Sequence, residues 1–161
     1  MHVLFMSKQK KCRTRFWENY SLKELNSNEW EALCDGCGKC CLRKIEDADT
    51  KEIFYTNVSC KLLDIKSARC RNYKDRKKIV PDCIILTPDN IKEIAYWMPE
   101  TCGYRRVFYG KPLEHWHPLM TNNKNSAIKA GQTIANQVIS EADVNEEDLE
   151  DYITTDFSEH H

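Results

Sequence analysis

Residues 34–41 read CDGCGKCC, with four cysteines in eight positions and the last two adjacent. Thiols this dense form a disulfide staple, a metal nest or a redox site. Cys34, Cys37 and Cys40 follow a C-x2-C-x2-C spacing, in which two intervening residues let a tight loop turn successive thiolates towards one point. Gly36 and Gly38 lie inside that loop. Glycine permits positive φ and lets backbone N–H groups approach sulfur, where they stabilise thiolate charge as in iron–sulfur loops. Lys39, Arg43 and Lys44 add positive charge nearby. The pattern is a strong metal signal.

Cys41 departs from two familiar arrangements. A bacterial ferredoxin run places its next cysteine three residues on, before a proline. A zinc ribbon carries a second C-x2-C. Neither stands in this chain. Adjacent residues in extended backbone point to opposite faces. Cys40 and Cys41 therefore suit two different sites, or one face of a multi-thiolate nest, better than a single tetrahedral ion. Cys60, Cys70, Cys83 and Cys102 bring the set to eight, enough for two four-thiolate sites, and Cys12 is left over as a free thiol. A lone cysteine is commonly just a small buried hydrophobe, but four that accompany such a loop are better read as ligands. Cysteine-only ligation and the three-cysteine loop favour an iron–sulfur cluster or iron. Zinc, which also accepts four thiolates, is the alternative.

The 161 residues match one ordinary domain, and net charge −1 supplies no field to recruit nucleic acid or an anionic membrane. With 41% hydrophobic residues, cysteines included, and 30% charged ones, the core is thin, and bound metal is a natural source of added stability. The apolar start MHVLFM is too short for a secretory signal and precedes rather than follows its basic run. No stretch approaches the roughly 20 apolar residues of a spanning helix. A cytoplasmic protein is expected, in a compartment where dense cysteines mean metal or catalysis more often than disulfides. Lys8, Lys10, Lys11, Arg13 and Arg15 crowd one end, and nine acids without Lys or Arg follow from Glu141. Such ends are either solvated faces or docking segments, which leaves a protein partner open.

The expected fold class is α+β: a small single domain of short helices and strands around a cysteine-rich metal site. Residues 1–15 read as a flexible basic arm, 16–157 as the metal-chelating domain, and 158–161 as a tail or tag remnant whose His160 and His161 are set aside as ligands. Ser21 and Glu24 have capping-box spacing, and SNEWEALC brings Trp30 and Leu33 to one side of a helix. LRKIED and EIFYTNVSC alternate like two strands. The basic segment from Cys60 to Cys83 reads as looped and held at its cysteines. LTPDNIKEIAYWMPE is the clearest helix, with Thr87 as cap, Pro88 at its first position and Ile91, Ile94, Ala95 and Met98 on its apolar face. Turns are expected at Gly103 and at 110–112, a helical turn closed by Gly131, a strand in QTIANQVIS, and an acidic helix docking through Leu149, Tyr152 and Ile153.

Together CDGCGKCCLRK, YTNVSCKLLD, CRNYKDRKKIVPDC, WMPETCGYRRVFYGKPLEHWHPL and DLEDYI resemble the YcgN/YkgJ-type CxxCxxCC family of bacterial proteins, a domain ascribed zinc or iron chelation. The resemblance runs from about Phe16 to Ile153. It implies that the eight cysteines from Cys34 to Cys102 are the family's characteristic set. A more distant relative with the same motif is the flagellin lysine methylase, which points towards iron–sulfur and methyl-transfer chemistry. No G-x-G loop after a strand supports carrying that activity over, and whether the chain is an enzyme stays open.

His115 and His117 flank Trp116 and could bind metal, but a structural role beside a packed Trp is the better reading. Arg105 and Arg106 balance thiolate charge, bind an anion or belong to the surface. Tyr96, Trp97, Tyr104, Phe108 and Tyr109 interleave with basic residues, yet core packing explains them better than a nucleic-acid surface.

Overall fold

A computed structural model describes residues 11–157. Lys8, Lys10 and the tail at 158–161 lie outside that range. The architecture is α+β, and every regular element is short. The chain opens with α1 (Phe16–Asn19), whose Phe16 is fully buried, and a 3₁₀ turn at Leu22–Glu24. The Ser21 amide donates to Glu24 Oε1 at 2.8 Å, as the capping-box spacing predicted.

Helix α2 (Ser27–Ala32) owes its start to Asn26. Asn26 Oδ1 accepts the Glu29 amide at 2.9 Å, and Glu29 Oε1 accepts the Asn26 amide at 2.9 Å. Glu29 does more than favour the helix dipole. It is fully buried, and Arg13 Nε and Nη2 grip its carboxylate at 2.9 and 2.8 Å. Arg13 thus ties the N-terminal segment to the start of α2.

Strands β1 (Leu42–Glu46) and β2 (Ile53–Ser59) pair antiparallel, with Lys44 opposite Tyr55 and a bulge between Leu42 and Lys44. Asp47 Oδ1 closes their turn by accepting the amides of Asp49 and Thr50 at 2.8 and 2.9 Å. The looped basic segment contains a small hairpin, β3 (Leu63–Asp64) with β4 (Arg69–Cys70), and one helical turn, α3 (Arg76–Ile79).

The expected long helix over residues 86–100 is truncated. Regular α-helix covers only α4 (Ile91–Ile94), followed by a 3₁₀ turn at Ala95–Trp97. Thr87 and Asn90 bond reciprocally, the Thr87 amide to Asn90 Oδ1 at 2.8 Å and the Asn90 amide to Thr87 Oγ1 at 3.2 Å. These side chains hold residues 87–90 as a turn in competition with helix. The apolar face is nonetheless as expected, with Ile91, Ala95 and Met98 buried.

Gly103 is a second correction. It opens α5 (Gly103–Phe108) rather than making a turn. Its role is close approach: an added Cβ would lie 2.0 Å from the Leu33 carbonyl oxygen. Short helices α6 (Pro118–Thr121) and α7 (Ser126–Lys129) follow, and Gly131, at φ 69, ends the latter. In QTIANQVIS only β5 (Ile139–Ser140) is strand, lying parallel to β2 to give the order β1-β2-β5. The remainder bonds to loops instead, the Ile134 amide to the Cys37 carbonyl at 3.0 Å and the Asn136 amide to the Ile65 carbonyl at 2.8 Å. The acidic segment is a 3₁₀ helix over Glu146–Tyr152 that buries Leu149 and leaves Ile153 exposed.

Two small cores result. One gathers Phe16, Trp30, Leu33, Ile91, Met98 and Tyr104; the other gathers Leu42, Tyr55, Leu63, Ala68, Ile134 and Phe157. Neither is large, as expected of a chain with this apolar content, and both supply walls to the cavity that holds the cysteines. No helix among the described residues is long and apolar enough to cross a membrane.

Candidate metal centre

Cys34 follows the end of α2, its amide bonded to the Glu31 carbonyl at 3.2 Å. From there Gly36 and Gly38, both at φ 79, carry the chain through two left-handed turns. Gly38 has no room for a side chain: a Cβ would lie 2.9 Å from both the Ala68 carbonyl oxygen and Ile134 Cγ1. Lys39–Cys41 form a 3₁₀ turn, so the adjacent pair Cys40 and Cys41 is not extended as the sequence suggested. At three residues per turn, neighbouring side chains still diverge by about 120°.

All eight expected cysteines, Cys34, Cys37, Cys40, Cys41, Cys60, Cys70, Cys83 and Cys102, line one cavity of about 610 Å³. Cys12 is exposed and does not line it. Cys60 is brought in by β2: its amide donates to the Cys41 carbonyl at 2.8 Å, just beyond the pairing of Leu42 with Ser59. Cys70 ends β4 opposite Leu63. Cys102 precedes the Gly103 contact with Leu33, which sets it beside Cys34. Among the described residues, no three His, Cys, Asp or Glu side chains stand close enough together to hold a single ion. The thiols form a wall around a space rather than a point.

Two opposed influences act on the thiols. Backbone N–H groups donate to sulfur from Lys39 to Cys37 at 3.4 Å and from Leu62 to Cys60 at 3.5 Å. The Gly36 and Arg105 amides likewise favour the thiolates of Cys34 and Cys102. Against this, burial raises Cys37 and Cys102 well above the ordinary thiol range, whereas Cys34 and Cys40 are exposed. The Cys41 thiol donates to Cys40, so Cys40 ionises more readily and Cys41 less. Burial depresses the ammonium of Lys44, while Cys40, Cys41, Cys37 and Cys102 pull it back up. Carbonyls of Lys39 and Leu42 hold that ammonium at 3.0 and 2.9 Å. Thiols held neutral by burial ionise once a cation displaces their protons.

Asp35 was not foreseen. One carboxylate oxygen accepts the Cys37 amide at 3.0 Å, but Oδ2 is buried without a hydrogen-bond partner. Desolvation raises its pKa, and its charge acts on Cys34, Cys37 and Cys102. An orphaned oxygen among thiols is satisfied by a cation. Eight thiols beside a buried carboxylate are the donor types that iron and zinc take.

The two histidines separate. His115 is exposed, whereas His117 is fully buried. His117 Nδ1 accepts the Leu119 amide at 3.0 Å, which leaves Nε2 to donate to the Leu33 carbonyl at 2.8 Å. His117 is thus a clamp on the residue before Cys34. Arg105 donates to the Met98 carbonyl at 2.7 Å, and Arg106 pairs with Glu114 at 3.0 Å, so both bind the fold. Of the five aromatics assigned to the core, Tyr104 is buried and Phe108 packs against its cluster, while Trp97 is half-buried and lines the cavity instead, beneath Lys44. Tyr96 and Tyr109 are exposed instead, Tyr96 donating to Glu46 at 3.0 Å and Tyr109 lying under Arg105.

Residues 33–103, the stretch that holds all eight cavity cysteines, match the CxxCxxCC family, described as a "Putative zinc- or iron-chelating domain". A UPF0260 protein of Rhodobacter capsulatus is 51% identical over 144 residues, which cover 89% of this chain and 96% of that protein. The chain belongs to the CxxCxxCC, or UPF0260, family. Other UPF0260 proteins agree: that of Cellvibrio japonicus is 49% identical over 86% of this chain and 93% of its own, and that of Shewanella pealeana 45% over 86% and 92%. No solved structure matches this UPF0260 chain. Metal binding is supported by the family description and by the donor set alike.

Proposed function

We propose that this UPF0260 protein carries an iron–sulfur cluster, or iron, on thiolates drawn from the eight cavity cysteines, in a reducing cytoplasmic setting. The observation that carries the reading is that eight thiols wall a cavity of about 610 Å³ without converging on a point. A single zinc, with Zn–S bonds of about 2.3 Å, draws four sulfurs to within about 3.8 Å of one another. A cluster interposes its own iron and sulfide and holds thiolates further apart, which is the arrangement a thiol-lined space suits. When bound, such a group supplies electron transfer or Lewis acidity. The chain's part is to bind it through thiolates, neutralise charge with Lys44 and N–H donors, and enclose it between two apolar cores.

The two small cores that meet at the thiols favour a second reading, a zinc-stapled interaction module without chemistry of its own. Purification without air, followed by iron, zinc and acid-labile sulfide analysis, separates the two. Iron and sulfide in equal amounts support the cluster. Stoichiometric zinc without sulfide sinks it.

A further inference from the structure

The fold divides the eight cysteines by backbone geometry. Cys34, Cys37 and Cys40 share one loop. Cys102 joins them because the Gly103 backbone presses on the Leu33 carbonyl, where a Cβ would come within 2.0 Å, and because His117 Nε2 bonds the same carbonyl at 2.8 Å. Cys41, Cys60 and Cys70 are tied to one another by a different set of contacts, and Cys83 comes to the same cavity from the looped segment after them. Cys60 bonds to the Cys41 carbonyl at 2.8 Å, and the Leu63 amide to the Cys60 carbonyl at 3.0 Å. Leu63 pairs with Cys70, and the Arg71 amide bonds the Leu62 carbonyl at 2.7 Å. The charges each thiol feels follow the same partition. Cys37 and Cys102 both feel Cys34 and Cys40, while Cys60 feels Cys83 and Cys70. Cys41 feels Cys60, and Cys83 feels Cys70. Only at the doubled cysteine is the divide crossed strongly, where the Cys41 thiol bonds Cys40, and Cys40 also reaches Cys83.

We infer that the cavity holds two four-thiolate nests: Cys34, Cys37, Cys40 and Cys102 in one, and Cys41, Cys60, Cys70 and Cys83 in the other. The doubled cysteine is then the junction, giving one sulfur to each nest across a single peptide bond. Lys44 stands at that junction, with Cys40 and Cys41 as its foremost thiolate neighbours. Asp35 belongs to the first nest. This inference rests on the thiolate-ligation reading above, and it adds the number of sites and their membership.

The test is anaerobic reconstitution of the full chain with iron and sulfide, comparing wild type with Cys102→Ser, Cys70→Ser and the double variant. Iron and sulfide per chain are measured with the electron paramagnetic resonance of the reduced protein. Two clusters are expected in the wild type, with spectra broadened by coupling between close neighbours. Each single variant should keep half the iron and sulfide with an uncoupled signal, and the double variant should keep none. Complete loss in either folded single variant, or one cluster in the wild type, overturns the division. Where a variant does not fold by circular dichroism, native mass spectrometry of the wild type under stepwise chelation decides. Two equal mass losses support two nests, and a single loss overturns them. Zinc without sulfide would overturn the iron–sulfur reading alone. Two zinc ions per chain, halved by each single variant, would still support the division, and one would end it.

Discussion

The loop at residues 34–41 and the four distant cysteines reach the same cavity by opposite routes. The loop is local. Two glycines at positive φ and a 3₁₀ turn aim three thiols within eight residues of chain, and Ala68 and Ile134 only back the loop from outside. Cys60, Cys70, Cys83 and Cys102 arrive through a strand pairing, a two-residue hairpin, a looped segment and a close backbone contact. A metal motif is thus only half of this site. The other half depends wholly on distant packing, so it should fail before the loop when packing is disturbed.

The largest break in that comparison is expected from Gly103→Ala. A methyl 2.0 Å from the Leu33 oxygen forces α5 away from α2 and displaces Cys102. A loss of about 3 kcal/mol is expected from overpacking, read by urea denaturation, with metal content falling as well. Gly38→Ala strikes the local side. Its φ of 79 and the 2.9 Å approach to the Ala68 oxygen make the substitution strained on two counts. About 2 kcal/mol is expected, with loss of the metal bound by Cys34, Cys37 and Cys40 exceeding loss of helicity.

Acid should sharpen the contrast without touching a thiol. Arg13 hydrogen bonds hold Glu29 down at about 2, from an ordinary 4.5. A depressed carboxylate contributes stability that is fully present above its unfolded pKa and lost as pH falls through the folded one. Metal-free wild type should therefore lose melting temperature between about pH 4.5 and 2, and Glu29→Gln should flatten that dependence. An unchanged slope in the variant would refute the assignment. The smallest effect is expected from Arg43→Ala. Arg43 reaches Glu141 at 2.9 Å and Glu146 at 3.0 Å, latching the acidic segment at the cavity. These groups are partly exposed, so about 1 kcal/mol is expected, with faster hydrogen exchange confined to residues 139–152.

How much was legible follows from the same division. The loop's cysteine spacing, its glycines, the Ser21–Glu24 capping box and the β1–β2 pair are set by residues a few positions apart, and the sequence carries them openly, whereas the Asn26–Glu29 box went unread. Helix 86–100 was overestimated because Thr87 and Asn90 bond each other, a side-chain competition that apolar periodicity does not register. Gly103 was read as a turn because its true constraint, the Leu33 carbonyl, lies about seventy residues away. Asp35 was overlooked inside the quoted motif, since only burial reveals that Oδ2 lacks a partner. His117 was read as structural, and its bond to Leu33 bears that out. The partition of the thiols could be posed from the doubled cysteine but not resolved, because Cys60 and Cys102 are placed by contacts distant in sequence.

X-ray absorption on protein purified without air bears most directly on the claim that these thiols hold an iron–sulfur group. An iron edge with a shell of sulfur neighbours and a second shell of iron is expected, both diminished in Cys37→Ser. A zinc edge with a single sulfur shell and no metal–metal scattering, or a metal bound through nitrogen and oxygen alone, would contradict it.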